Sequence, residues 1–211
     1  MTKVQTTAEA TPTSPPDQGT LANAQHDMRT AYLGGAPGVL VSGLVWAGAA
    51  CVALWLSPPR AVWALFVGGV FIHPLSVVLV RLLGRSGTHA QGNPLAPLAM
   101  ATTFWMILML PLAYGVSLLR IDLFFPAMLF VIGGRYLCFQ TLYGNRLYWL
   151  IGAVLAVSGY GLAASNAPVA LAAFAGALIE IGFAGVLLAG GRREAGIEDA
   201  TAGKLSKSGR L

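Results

Sequence analysis

Three side chains in this sequence are charged, or can become so, inside stretches that are otherwise apolar: His73, Arg135 and Glu180. An imidazole can carry a proton near neutral pH, a guanidinium stays charged and binds anions, and a carboxyl can pair with it or protonate. At the centre of a membrane helix an arginine, lysine or aspartate costs about 2.5–3.5 kcal/mol on insertion scales, so such groups need partners and are candidates for function. Arginine cannot shed its charge, which makes an Arg135–Glu180 ion pair the simplest arrangement. The alternatives are a site reached by water, for binding or translocation, and a pair that never forms, with Arg135 stretched toward the interface. Thr102 and Thr103 are candidates for the same polar layer. Tyr136 and Gln140 flank Arg135 and read as ordinary hydrogen-bonding residues between helices.

These side chains lie within six apolar runs, at about 38–56, 61–80, 95–119, 123–143, 147–165 and 168–190. At 1.5 Å per residue each run is long enough for a hydrocarbon core of about 30 Å, and a β-barrel would show shorter segments of alternating character. The fold class expected is therefore all-α, a polytopic transmembrane bundle of six helices. Breaks fall at Ser57-Pro58-Pro59-Arg60, residues 84–94, Arg120-Ile121-Asp122, Gly144-Asn145-Arg146 and Asn166-Ala167. Should Arg120 to Asp122 fail as a break, the count drops to five. Runs two, four and six point the same way, and His73, Arg135 and Glu180 each fall equally far along theirs, roughly 18 Å from the outer boundary. Ala172, Gly176 and Ala184 share the face of Glu180, a small-residue stripe that turns the carboxyl into the bundle.

The composition agrees. Of 211 residues only 10% are charged and 56% are hydrophobic, with a mean hydropathy of +0.69, which excludes an ordinary soluble domain. Residues 1–36 are rich in Thr, Ala, Pro, Ser and Gln and read as a disordered cytoplasmic leader; residues 191–211 read as a solvated, basic cytoplasmic tail. The first apolar run opens too late for a signal peptide, so the leader is expected to stay attached. Lys3, Arg29, Arg81, Arg85, Arg146, Arg192, Arg193, Lys204, Lys207 and Arg210 fall on one side, against Arg60 and Arg120 on the other. The positive-inside rule then puts both termini in the cytoplasm. The net charge of +5 is topology information and gives no reason to expect a nucleic-acid partner. Trp55, Trp63, Tyr143, Tyr148 and Trp149 read as interfacial anchors, and Trp46 and Trp105 as packing residues.

No phosphate loop, zinc spacing or nucleophile motif is present, so no cofactor or metal is expected. Cys51 and Cys138 sit at different depths, too far apart for a disulfide. Leu65-Phe66-Val67-Gly68-Gly69 and Leu129-Phe130-Val131-Ile132-Gly133-Gly134 are alike, but so restricted a composition makes chance similarity common.

From about Phe71 to Tyr160 the chain resembles an uncharacterised family of small polytopic bacterial membrane proteins known as a domain of unknown function. The matching pieces are His73-Pro74-Leu75, Asn93-Pro94-Leu95, and Gly133-Gly134-Arg135-Tyr136 with Tyr143 following. The resemblance implies a helical membrane fold, a bacterial cytoplasmic membrane and no particular activity. Three functions stay open: a non-catalytic accessory or sensor protein working with a membrane-protein partner or a second copy of itself, a small transporter or channel built on the polar layer, and, as the last choice, an intramembrane enzyme.

Overall fold

The computed structural model describes the backbone of residues 18–208 and the side chains of residues 20–191. Seven α-helices and no strand occur among them: α1 Gln18–Tyr32, α2 Ala36–Trp55, α3 Pro58–Leu82, α4 Ala96–Leu119, α5 Phe124–Tyr143, α6 Leu147–Ala164 and α7 Val169–Ser208. Six apolar segments, those built on α2 to α7, are long enough to cross a membrane, and they reproduce the six apolar runs to within a few residues. The break between the third and fourth runs is a short 3-10 turn, Ile121–Leu123. There Arg120 forms an ion pair with Asp122 and donates to Asn166 Oδ1 at 2.6 Å, which ties two consecutive connections together at one end of the bundle. The opposite end bears most of the basic residues and is the basic end of the bundle.

Helix α2 packs most extensively on α7 and α3, and α5 on α6. The α2–α7 seam is close because its residues are small: Ala172, Gly176, Glu180 and Ala184 are all buried on one face of α7, and at Gly43 of α2 an added Cβ would stand 3.0 Å from the Ile181 backbone nitrogen. The ring of Trp46 fills the space left by the missing side chain of Gly176 and meets Phe125 of α5 edge-on at 5.6 Å. Consecutive helices α3 and α4 hardly touch along their length: α3 lies on α2 and α4 on α5. The link between them, residues 83–95, is the longest of the connections between the spanning helices, so chain length does not force them together.

The expectation of a disordered leader through residue 36 is corrected by α1, which is helical from Gln18 and folds back across the basic end; residues 1–17 lie outside the described residues. Residues 21–32 are mostly good helix formers, and Ala24, Met28 and Ala31 fall on one face and are buried. Polar bonds hold the helix down. Arg29 Nη1 donates to Tyr143 O at 2.7 Å and Gln25 Nε2 to Thr141 O at 2.8 Å, satisfying carbonyls left open at the end of α5. Asp27 Oδ2 accepts from Asn93 Nδ2 at 2.7 Å and from the Ala90 N–H at 2.9 Å. These two bonds hold the half-buried Asp27 carboxyl below its ordinary range. Between α1 and α2 the chain reverses through Leu33, Gly34 and Gly35, all at positive φ. A side chain at Gly35 would meet the Tyr148 hydroxyl, so glycine is required there on two counts.

Arg29→Ala removes a charged donor from a carbonyl that has no helical partner. It is expected to cost about 1.5–3 kcal/mol of α1 docking, read as faster limited proteolysis within residues 18–35 while helical content from the six spanning segments persists.

In the described part of the tail, α7 continues as backbone helix to Ser208. Of the expected aromatic anchors, Trp55, Trp63 and Trp149 are exposed, whereas Tyr143 and Tyr148 are buried. Those two tyrosines stack with ring centroids 5.4 Å apart, and Tyr148 donates to Gly34 O at 2.5 Å. Burial under α1 and the reversal replaces the interface as their environment. Trp46 is buried as expected, while Trp105 is 43% exposed, with its ring edge lying against Gly134. Both cysteines are free.

Candidate functional site

The five residues expected to form one layer divide into separate environments. Arg135 and Tyr136 are neighbours on α5 and so point about 100° apart around the helix. Tyr136 faces α7, where its hydroxyl donates to Glu180 Oε1 at 2.8 Å. Glu180 is fully buried. Ser42 of α2 lies within hydrogen-bonding range of the same carboxyl, while Oε2 has no partner of good hydrogen-bond geometry among the described residues.

Arg135 faces the other way, toward α4. Its Nη2 donates to Thr103 Oγ1 at 3.2 Å, its Nη1 meets Met106 Sδ at 3.1 Å, and its Cζ lies 5.2 Å from the centre of the Phe139 ring. Buried Nε has no partner. The ion pair with Glu180 is therefore corrected: no Arg135–Glu180 contact falls within 4.0 Å, and among the described residues the one ion pair is Arg120–Asp122. The physical reason is that equal depth fixes height and leaves direction around the helix free. Tyr136, the next residue, takes the direction that reaches α7.

Thr103 joins this group, and its hydroxyl also donates to Ala99 O at 3.1 Å. Thr102 is buried and turned back on its own helix, donating to the same carbonyl at 2.9 Å. His73 is exposed on α3, and its carbonyl accepts from Ser76 Oγ at 2.7 Å. It touches neither Glu180 nor Arg135 in any hydrogen bond or ion pair.

A shared direction relates His73, Thr103 and Arg135. Phe66 of α3, Tyr114 of α4 and Phe124 of α5 meet at the end away from the basic end, with Phe66 centroids 6.1 Å from Tyr114 and 5.3 Å from Phe124. Toward the basic end, on the same faces of these helices, His73 lies about two turns beyond Phe66, and Thr103 and Arg135 about three turns beyond Tyr114 and Phe124. The three faces turn toward the lateral gap left where α3 and α4 hardly pack on each other, the α3–α4 window. Ring contacts of Trp63 and Phe66 with Tyr114 bridge its two walls at one end, and the link 83–95 joins them at the other. Its walls are apolar apart from these residues: Val70 of α3 and Ile107 of α4 are both exposed. A separate shallow apolar groove lies on the opposite flank of the α4–α5 pair, lined by Trp105, Leu112 and Phe130 among others.

Sequence reasoning missed the α1 contacts and the α3–α4 window. The spacing of Ala24, Met28 and Ala31, read for a helix lying on protein instead of one crossing lipid, carries the first signal. The length of the 83–95 link carries the second.

An all-helical chain with six spanning segments and ionisable groups at membrane depth defines a polytopic membrane protein. The chain belongs to the Family of unknown function (DUF7010), whose model matches residues 21–190, from within α1 through the last spanning segment. No curated protein and no solved structure matches it.

Proposed function

We propose that the chain is a non-catalytic accessory or sensor protein of a bacterial cytoplasmic membrane, with both termini in the cytoplasm, that receives an anionic group from the plane of the bilayer through the α3–α4 window. The observation carrying this is Arg135: a permanent cation at membrane depth, bonded to one hydroxyl and one thioether, with no carboxylate inside ionic distance. A buried charge must be compensated, and the two groups bonded to Arg135 are neutral, which leaves an anion entering beside α4 as the compensation this reading supplies. The basic-residue bias supports the orientation. Assembly with a second copy or with a membrane-protein partner belongs to the same reading and would use the exposed apolar outer faces of α3 and α4, among them Phe71, Val78, Phe104 and Leu108.

Transport is the second reading, and the observation favouring it is Glu180 Oε2, a buried oxygen without a partner. Cysteine labelling separates the two. With Cys51 and Cys138 replaced, single cysteines at positions 73, 103 and 180 are treated from either face with a membrane-impermeant thiol reagent and, separately, with a lipid-soluble one. The accessory reading predicts that the impermeant reagent leaves position 180 unmodified from both faces, while the lipid-soluble reagent modifies 73 and 103. Labelling of 103 and 180 by the impermeant reagent would reverse the order of the two readings.

A further inference from the structure

We infer that the α3–α4 window binds an anionic amphiphile from the bilayer, with its acidic headgroup on Arg135 and its acyl chain along the apolar faces that run from there to Phe66, Tyr114 and Phe124. The inference deepens the reading above and rests on it. Arginine presents five N–H donors, and a thioether is a weak acceptor. Two donors are used here, one of them on Met106 Sδ, and Nε is unpaired. A phosphate or carboxylate headgroup supplies the charged acceptors that this arrangement lacks, and guanidinium suits both groups geometrically.

Position and length agree with this ligand. The guanidinium lies over Phe139, one turn nearer the basic end than Arg135 itself, so it stands one to two turns inside that end and within reach of a headgroup drawn in from that leaflet. Beyond it, the exposed Val70 of α3 and Ile107 of α4 continue the walls toward the ring contact of Phe66 with Tyr114, and from Arg135 to the level of Phe124 the distance along α5 is three turns, roughly 16 Å. One leaflet's share of a hydrocarbon core about 30 Å thick is about 15 Å, the length of one acyl chain's territory. His73, exposed on the α3 wall, adds a ring nitrogen on the facing side. A chain can enter a window closed at both ends from the side. A transmembrane helix, about 10 Å across with its side chains, would have to part the ring contacts of Trp63 and Phe66 with Tyr114 to reach Arg135.

The test is native mass spectrometry of the full chain released from micelles containing equal amounts of phosphatidylglycerol, oleate and phosphatidylcholine. The expected result is retention of an anionic species over phosphatidylcholine by about tenfold. The phosphatidylglycerol and oleate arms tell a phosphate headgroup from a carboxylate. Arg135→Gln should abolish the preference, and Arg135→Lys should keep part of it. Val70→Trp, which fills the α3 wall without touching the charge, should reduce retention and covers the case in which Arg135→Gln does not fold. Equal retention of anionic and zwitterionic lipid, or a preference that survives Arg135→Gln in a folded chain, overturns the inference. So does co-purification of a protein partner or second copy through Arg135 with no lipid preference. Failure of the underlying reading shows elsewhere, as water-phase labelling at position 180, and is therefore distinguishable.

Discussion

Gly133→Leu is expected to separate α5 from α6 and abolish most folded protein. A Cβ at Gly133 would stand 2.8 Å from Gly152 O, and one at Gly152 would stand 2.8 Å from Gly133 O. The two helices thus touch backbone to backbone, and neither obstacle is a side chain that could swing away. Gly159 repeats the arrangement against Pro126 O, also at 2.8 Å. In lipid, where apolar burial does not drive helices together, such close packing is a main source of attraction. Overpacking a well-filled site costs about 1–3 kcal/mol, and forcing two backbones apart belongs at or above the upper end. Gly161→Leu provides the control, since an added Cβ there meets nothing within 4 Å. Unfolding in an SDS titration followed by helical circular dichroism should shift strongly for Gly133→Leu and little for Gly161→Leu.

The second large effect concerns the enclosed carboxyl. Tyr136→Phe leaves Glu180 without its hydrogen bond, and Glu180→Leu leaves the buried Tyr136 hydroxyl without an acceptor. Each orphaned group costs about 1–3 kcal/mol in a setting with no water to replace the partner. Replacing both by apolar groups of similar shape removes the orphan, so Tyr136→Phe with Glu180→Leu should recover much of the loss. Glu180→Gln keeps an acceptor for the tyrosine and is expected to be the mildest change at this position. The same SDS titration reads all four variants.

The spanning helices were legible in the sequence because a bilayer imposes one length on all of them and tolerates few charges within it. Run boundaries set by Pro58, Asn93-Pro94 and Gly144 match the observed ends closely for the same reason: proline and positive-φ glycine punctuate a helix by local sterics. The burial of Glu180 was legible too, through the small residues Ala172, Gly176 and Ala184 on its face. The direction of Arg135 was not. Counting residues gives depth, while the partner on each side depends on which helix stands there, a property of the whole bundle. Helix α1 was hidden for a different reason. Its buried face is made of Ala24, Met28 and Ala31, too modest to register against the apolarity of the spanning runs, and much of what holds it is polar, from Arg29, Gln25 and Asp27 to backbone and loop groups that only the folded chain brings near. The same holds for Tyr143 and Tyr148, whose positions at helix ends fit an interface until α1 and Gly34 cover them.

The measurement that tests the central claim most directly is a pair of double-mutant cycles sharing Glu180, one with Arg135 and one with Tyr136, read as unfolding free energy in SDS titration. The claim is that the cation and the carboxyl occupy different sites and share no hydrogen bond or ion pair. It predicts a coupling of about 1–3 kcal/mol between Tyr136→Phe and Glu180→Leu, and near-additive effects, within about 0.5 kcal/mol, for Arg135→Leu with Glu180→Leu. A coupling of about 3 kcal/mol or more between Arg135 and Glu180, with the double variant regaining the stability that each single variant loses, would contradict it and restore a buried ion pair.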